Sequence, residues 1–346
     1  MSKRRTILVT GSSGLIGTNL ALRLIDEGHC VIGLDRRLNS WTDAIETHTI
    51  ELWGPSGIDD DAIGSLLEER GYDRGAPDVV IHLAALAKVY ASVCAPEGAL
   101  DNVMCTHGVL EYCRLHGKPI IFASSREVYG NVVGGGGSPV KESSVDHRRA
   151  ASPYAAGKIA AEALVASYDR CYDIPSLVLR FSNVYGRFDT DVERTERVIP
   201  LFTERLRKGL PLTIYGREKR LDFTFIDDTV DGLVRAIAEL RTDARTGGRR
   251  VRGRTLNVAS GQGRSLVELA TLLAERLDCR PRIIIEPART GEVCRYVADI
   301  TAAEELLGYR PHYSLPEGLD RAFAWRREWE EAVSSSLHID RTRRFG

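Results

Sequence analysis

Thr6-Ile7-Leu8-Val9-Thr10-Gly11-Ser12-Ser13-Gly14-Leu15-Ile16-Gly17 decides the fold. The run from Thr6 to Thr10 is short, apolar and β-branched, as in a strand buried on both faces. The residues after Gly14 repeat apolar side chains at helical spacing, and the helix is expected over 15–27. Between the two, the glycines fall as G-x-x-G-x-x-G. A dinucleotide requires this arrangement: a tight turn, close backbone approach to the pyrophosphate, and close helix–strand packing. The diphosphate then sits at the helix N-terminus, against free N–H groups and the positive dipole end. Glycines at this spacing alone are weak support. The strand before, the helix after and Asp35 at the end of a second strand make the pattern specific.

The cofactor contacts expected from this loop are Gly11, Ser13, Gly14, Leu15, Ile16 and Gly17, with Asp35 on the adenosine ribose. A carboxylate there accepts both ribose hydroxyls and repels a 2′-phosphate, which selects NAD. Arg36 and Arg37 keep NADP open, because an arginine can hold the 2′-phosphate.

Outward from the loop, strand runs at 31–35, 79–83, 120–124 and 177–181 alternate with helical patterns at 61–70, 97–116 and 153–172. A weaker strand is expected at 49–52. Such alternation implies right-handed crossovers and a Rossmann-type α/β fold, a doubly wound parallel sheet. After residue 181 the alternation weakens into a smaller α+β lobe, with strands at 212–215, 222–226, 255–258 and 282–286. Its helices are expected at 198–208, 229–241, 266–277 and 315–332. The expected division is an NAD-binding domain over 1–181, a substrate lobe over 182–333 that interleaves with it, and a tail over 334–346. Residues 131–151, with the glycine run 134–137, read as a flexible surface loop. Residues 241–254 hold six arginines and read as a solvated loop.

The chain has 346 residues, enough to bury a full core without disulfides or metal. Its 47 Lys+Arg against 48 Asp+Glu argue against a dedicated nucleic-acid or membrane-surface binder. No apolar run is long enough to span a membrane, and the run after Lys3-Arg4-Arg5 is too short for a signal-peptide core. The seven cysteines form no C-x-x-C pair and read as reduced, mostly buried thiols of a cytoplasmic protein. No His/Cys/Asp cluster has metal-ligand spacing, so no metal is expected. His82 reads as a satisfied core histidine.

The chemistry is expected at Tyr154-Ala155-Ala156-Gly157-Lys158 and at Ser124-Ser125-Arg126-Glu127-Val128-Tyr129-Gly130. On a helix, Tyr154 and Lys158 share a face, and a cation beside a phenol favours the phenolate. Ser125 stands at the C-terminal end of a strand, where doubly wound sheets bind ligands.

With these motifs the sequence resembles the extended short-chain dehydrogenase/reductase family, in its nucleotide-sugar epimerase/dehydratase branch. Further matches are His82-Leu83-Ala84-Ala85, Arg180-Phe181-Ser182-Asn183-Val184-Tyr185-Gly186, Asp222-Phe223-x-x-Ile226-Asp227-Asp228, Asn257-Val258-x-Ser260-Gly261 and Leu307-Gly308-Tyr309-x-Pro311. The resemblance implies a general acid/base at Tyr154 and nicotinamide-ribose binding by Lys158, with Leu83, Ala84 and Ala85 along the cofactor. It implies that Ser125 holds the reacting C4 hydroxyl, and that Asn183 and Arg289 meet the nucleotide diphosphate. The implied reaction is a 4-epimerisation through a transient 4-keto sugar, on a UDP-hexose or UDP-uronate. Tyr296 is implied to wall the space at C2, which favours a free C2 hydroxyl. A homodimer through a four-helix bundle of the helices at 97–116 and 153–172 is implied as well.

The sequence also departs from the branch. Its usual Arg-Asp-Phe is here Arg220-Leu221-Asp222-Phe223, and one residue of shift in a strand turns a side chain to the other face. Arg220 is therefore a weaker diphosphate candidate than Arg289. The carboxylate expected at the end of the third strand is Glu51 at best. The competing activity is that of a lyase, a 4,6-dehydratase or a UDP-glucuronate decarboxylase, which would use Glu127 as a catalytic group. Dehydratases place an acid where Arg126 stands, and a guanidinium holds its proton. Arg126 could instead bind a substrate carboxylate or turn outward to an acidic surface residue. A non-catalytic dinucleotide-binding regulator is the third reading.

Overall fold

The computed structural model describes residues 4–52, 61–131, 138–189 and 197–344, with side chains described to residue 334. The glycine run 134–137 lies outside the described residues.

The strands are β1 (Thr6–Thr10), β2 (Cys30–Asp35), β3 (Thr47–Thr49), β4 (Val79–His82), β5 (Ile120–Ser125), β6 (Ser176–Phe181), β7 (Asn183–Tyr185), β8 (Leu212–Tyr215), β9 (Arg220–Phe225), β10 (Arg254–Val258), β11 (Gly263–Ser265) and β12 (Ile283–Glu286). The helices are α1 (Leu15–Asp26), α2 (Ala62–Glu69), α3 (Val89–Cys94), α4 (Glu97–His116), α5 (Pro153–Tyr172), α6 (Val198–Arg207), α7 (Ile226–Thr246), α8 (Leu266–Arg276), α9 (Thr301–Leu307) and α10 (Leu315–Arg344).

Seven strands form the central sheet in the order β10-β6-β5-β4-β1-β2-β3. Every pairing in it is parallel. Its strands carry apolar residues on both faces because both are covered, by the cluster of Leu20, Leu24 and Leu233 on one side and that of Val109, Leu110 and Val165 on the other. The strand order reverses between β1 and β4, and the crevice at that switch point is where this architecture takes a ligand.

The second half of the chain adds a three-stranded sheet, β11-β9-β7, and the parallel pair β12-β8. It also returns a strand: Arg254–Val258 pairs with Leu177–Phe181 as the outer strand of the central sheet.

Several local expectations are corrected. The third strand is Thr47–Thr49 rather than 49–52. Helix α7 runs to Thr246, closed by Gly247 in the left-handed region, so the arginine-rich segment is partly helical. Within it Arg252 is half-buried and pairs with Asp169 and Asp173. Residues 138–151 are pinned rather than loose: Val140 is buried, donates to Val297 O and accepts from Asp299 N. Helix α10 continues through Arg344, over residues expected as tail. Of the seven cysteines, all free, only Cys105 and Cys113 are fully buried. Among the described residues no helix is long and apolar enough to cross a membrane.

Candidate active site

The glycine loop turns sharply after β1. Gly11 has φ 74°, and a Cβ there would lie 2.8 Å from Ala84 N, so both the turn and the neighbouring strand end require glycine. At Gly17 a Cβ would fall 2.1 Å from Gly11 O, which lets α1 seat directly on the loop. Leu83 N and Ala84 N bond Thr10, so the strand end carrying Leu83, Ala84 and Ala85 backs the loop. No side chain caps α1 at Gly14. The first-turn N–H groups of Leu15 and Ile16 thus point at the space an anion would fill.

Asp35 closes this subsite. Its Oδ2 accepts from Ser13 N at 3.0 Å and its Oδ1 from Arg37 N at 3.1 Å. Each oxygen keeps a lone pair for a ribose hydroxyl. Ser13 Oγ donates to Arg37 O, which ties the phosphate loop to the segment after β2. Arg36 and Arg37 lie at the surface, and Glu51 is exposed. His82 sits between Thr10 and Thr106, and burial drives its pKa down to about 3, so it is a neutral core histidine.

The catalytic candidates converge at the end of β5. Ser152 caps α5 with Pro153 in its first turn, which points Tyr154 and Lys158 at the sheet. Tyr154 is buried, and the Ser125 hydroxyl opposes the rise that burial gives its pKa. Lys158 Nζ donates to Ala123 O at 2.8 Å. Burial brings the Lys158 pKa down to about 8 and pushes that of Tyr154 up to about 12. The expected lowering of Tyr154 by Lys158 is thus reversed in this state. Loss of hydration outweighs charge for a fully buried phenol, and the Lys158 ammonium is directed at the Ala123 carbonyl.

The next two residues form a pair of their own. Arg126 Nη2 meets Glu127 Oε1 at 2.7 Å. Arg126 therefore turns neither outward nor free into the pocket; its charge is answered by its neighbour. Burial raises the Glu127 pKa, while Arg126 and Lys219 oppose that shift. Tyr296 is 2% exposed, stacked on Tyr129 at 5.5 Å, with its hydroxyl directed at Asn257 Oδ1. The Arg126 guanidinium lies 6.0 Å from its ring centre.

The diphosphate candidates divide. Asn183 donates to Asp222 O at 2.8 Å. The Arg289 guanidinium is held 3.7 Å from the Tyr215 ring centre and 4.8 Å from that of Tyr90. Arg220 is exposed, lies over Gly263 and acts on Glu268. Strand alternation accounts for this: one residue earlier, Lys219 turns inward and pairs with Glu292 at 2.5 Å. The Lys219–Glu292 pair and the two tyrosines around Arg289 carry no motif. The one-residue shift in Arg220-Leu221-Asp222 was the only signal for Lys219. Among the described residues no His/Cys/Asp/Glu group could hold a metal.

The sequence profile of the NAD-dependent epimerase/dehydratase family matches residues 7–259. The chain belongs to that family. This family member is 34% identical over 321 residues to a UDP-glucose 4-epimerase of Mycolicibacterium smegmatis, covering 90% of this chain and 95% of that one. It is 33% identical over 345 residues to a probable UDP-glucuronate 4-epimerase of Rhizobium meliloti, covering 92% and 96%. The crystal structure of the Thermotoga maritima UDP-glucose 4-epimerase with UDP-glucose superposes with TM-score 0.80 at 29% identity, covering 93% and 99%. The cofactor is NAD. The uncapped helix, the glycine cradle and the open lone pairs of Asp35 fit it, and Gly11 to Gly17, Asp35, Tyr154 and Lys158 are the candidates to hold it. Acid-denatured protein is expected to release NAD(H), read by enzymatic cycling; recovery of mainly NADP(H) would instead give Arg36 or Arg37 a 2′-phosphate.

Proposed function

We propose that the protein is a UDP-sugar 4-epimerase. The observation that carries this reading is the convergence of Ser125 at the end of β5 with Tyr154 and Lys158 on the buried face of α5, at the C-terminal edge of the sheet. Ser125 holds the C4 hydroxyl of the sugar, and Tyr154 takes and returns its proton. NAD, when bound, would supply the hydride acceptor and donor that inversion at C4 needs. Lys158 holds the nicotinamide ribose, a role supported by its donor position under the sheet edge. Asn183 and Arg289 meet the nucleotide diphosphate. The activities of the relatives support a UDP-linked hexose or uronate.

Tyr296 supports a plain C2 hydroxyl. It is buried and stacked on Tyr129, so the wall it would form at C2 is a packed one. A lyase is the second reading, favoured by one observation: Glu127, buried and raised in pKa, is the kind of group that removes a C5 proton. The test is product analysis by NMR with UDP-glucose, UDP-galactose, UDP-glucuronate and UDP-GlcNAc. A C4 stereoisomer from a substrate with a free C2 hydroxyl is the expected product. A 4-keto-6-deoxy sugar or a pentose would overturn the epimerase reading in favour of the lyase.

A homodimer across α4 and α5 is part of the same proposal. Leu100 and Met104 stand one turn apart on α4, 69% and 44% exposed, an apolar strip that suits a partner helix. Balanced net charge and free thiols support a cytoplasmic location.

A further inference from the structure

Arg249, Arg252 and Arg254 belong to the arginine-rich segment, for which the catalytic centre has no use. Together with Arg170, from the last turn of α5, they line a cleft of about 560 Å³. Small-molecule sites usually span about 300–1,000 Å³. The walls come from α5, from the outer strands β6 and β10, and from the segment that joins α7 to β10. On α5, Glu162, Ala166 and Asp169 face this cleft, while Gly157 and Tyr168 meet Ala99 and Glu111 of α4. At 3.6 residues per turn those two sets stand on opposite sides of the helix. The cleft is therefore clear of the side of α5 that packs on α4.

The lining holds four arginines against two acids, Glu162 and Asp169. Both acids are already answered. Arg180 grips Glu162 through Nε at 2.9 Å and Nη2 at 2.6 Å. Asp169 accepts from Ser176 N and Oγ and pairs with Arg252, each at 3.0 Å. Arg170, Arg249 and Arg254 are exposed and make no ion pair or side-chain hydrogen bond among the described residues. Three unanswered guanidiniums, brought from three parts of the chain to one cleft, repel one another, and an anion between them relieves that repulsion. A guanidinium grips phosphate oxygens as a fork. Beside the arginines, Ile159, Ala163 and Ala166 of α5 and Val178 of β6 supply an apolar wall. Duplex nucleic acid suits the place less well, because it needs positive charge laid out along many phosphates rather than gathered in a cleft.

We propose that this cleft is a second ligand site, apart from the catalytic centre, for a nucleoside polyphosphate. Arg170, Arg249 and Arg254 hold the phosphates, and the base lies against the apolar wall of α5. Arg252, tied to Asp169 and Asp173, fixes the segment that carries Arg249 and Arg254 and takes no phosphate itself. The site does not depend on which reaction the catalytic centre performs.

The test is titration calorimetry on the full chain with NAD retained and UDP saturating, so that the nucleotide subsites of the catalytic centre are filled. The probes are ATP, inorganic tripolyphosphate and a short DNA duplex. ATP is expected to bind once per chain, and tripolyphosphate more weakly for want of a base. Arg170→Ala, Arg249→Ala and Arg254→Ala are each expected to weaken ATP by about tenfold, the loss of one charge-assisted hydrogen bond. Their bound NAD and thermal midpoint should match wild type, since none of the three makes a contact that supports the fold. Absence of ATP binding under these conditions, or an affinity unmoved by all three substitutions, would overturn the site. Equal affinity for ATP and tripolyphosphate would overturn the placement of the base. Duplex DNA binding more tightly than ATP through the same arginines would overturn the assignment in favour of a nucleic-acid surface.

Discussion

Tyr154→Phe is expected to fold, retain NAD and lose about 10²–10⁴-fold in kcat, the usual contribution of a general acid–base group. The ring is buried between α5 and the end of β5, so the phenylalanine keeps its packing. Only the hydroxyl disappears. Burial favours the protonated phenol, so Tyr154 must give up its own proton before it acts as the base on the C4 hydroxyl. KM should change little, since the lost interaction is made in the transition state. Bound NAD, measured after denaturation, and near-UV circular dichroism serve as controls for folding. Near-normal turnover would remove Tyr154 from the mechanism.

Asp222→Ala is expected to cost on the order of 4 kcal/mol of stability, a large value for one substitution. Asp222 is fully buried on β9, and its carboxylate accepts from Ser260 N, Ser260 Oγ, Gly261 N and Ala298 N. Removing it orphans three backbone donors and a hydroxyl at once, in a place water does not reach. The loops it gathers follow β10 and precede α9, and its own carbonyl accepts from Asn183. Asp222→Asn should be nearly as damaging, because half of the amide presents donors to donors. Urea denaturation midpoints of the NAD-loaded protein measure both. A midpoint within error of wild type would show that these bonds contribute little to the folded state.

Legibility in the sequence followed the kind of constraint involved. The central sheet and α4 and α5 could be read because continuous apolar runs and helical periodicity are local signals. The helices over 97–116 and 153–172 end where Gly117 and Asp173 take left-handed geometry. Strand β7 and helix α3 escaped because they are short and owe their form to β9 and α5, which are distant in sequence. Within the site, Tyr154, Lys158 and Ser125 were legible because their spacing is itself the motif. The bond of Arg126 to Glu127 was not, since adjacent residues that open a 3₁₀ turn (Arg126–Tyr129) carry no rule for which way each side chain points. The inward turn of Lys219 depends on strand register, which only the fold sets.

The outermost strand of the central sheet has a consequence for how the chain matures. β10 comes from residues 254–258 yet completes the sheet begun at Thr6. A nascent chain that has emerged only as far as Phe181 presents β6 as a bare edge, with its N–H and C=O groups unpaired and its flanks apolar. The nucleotide-binding half therefore cannot finish folding while the ribosome is still making the rest. For that interval it is a client for chaperones and a hazard for edge-to-edge aggregation, and a gene cut at this apparent boundary would make the hazard permanent.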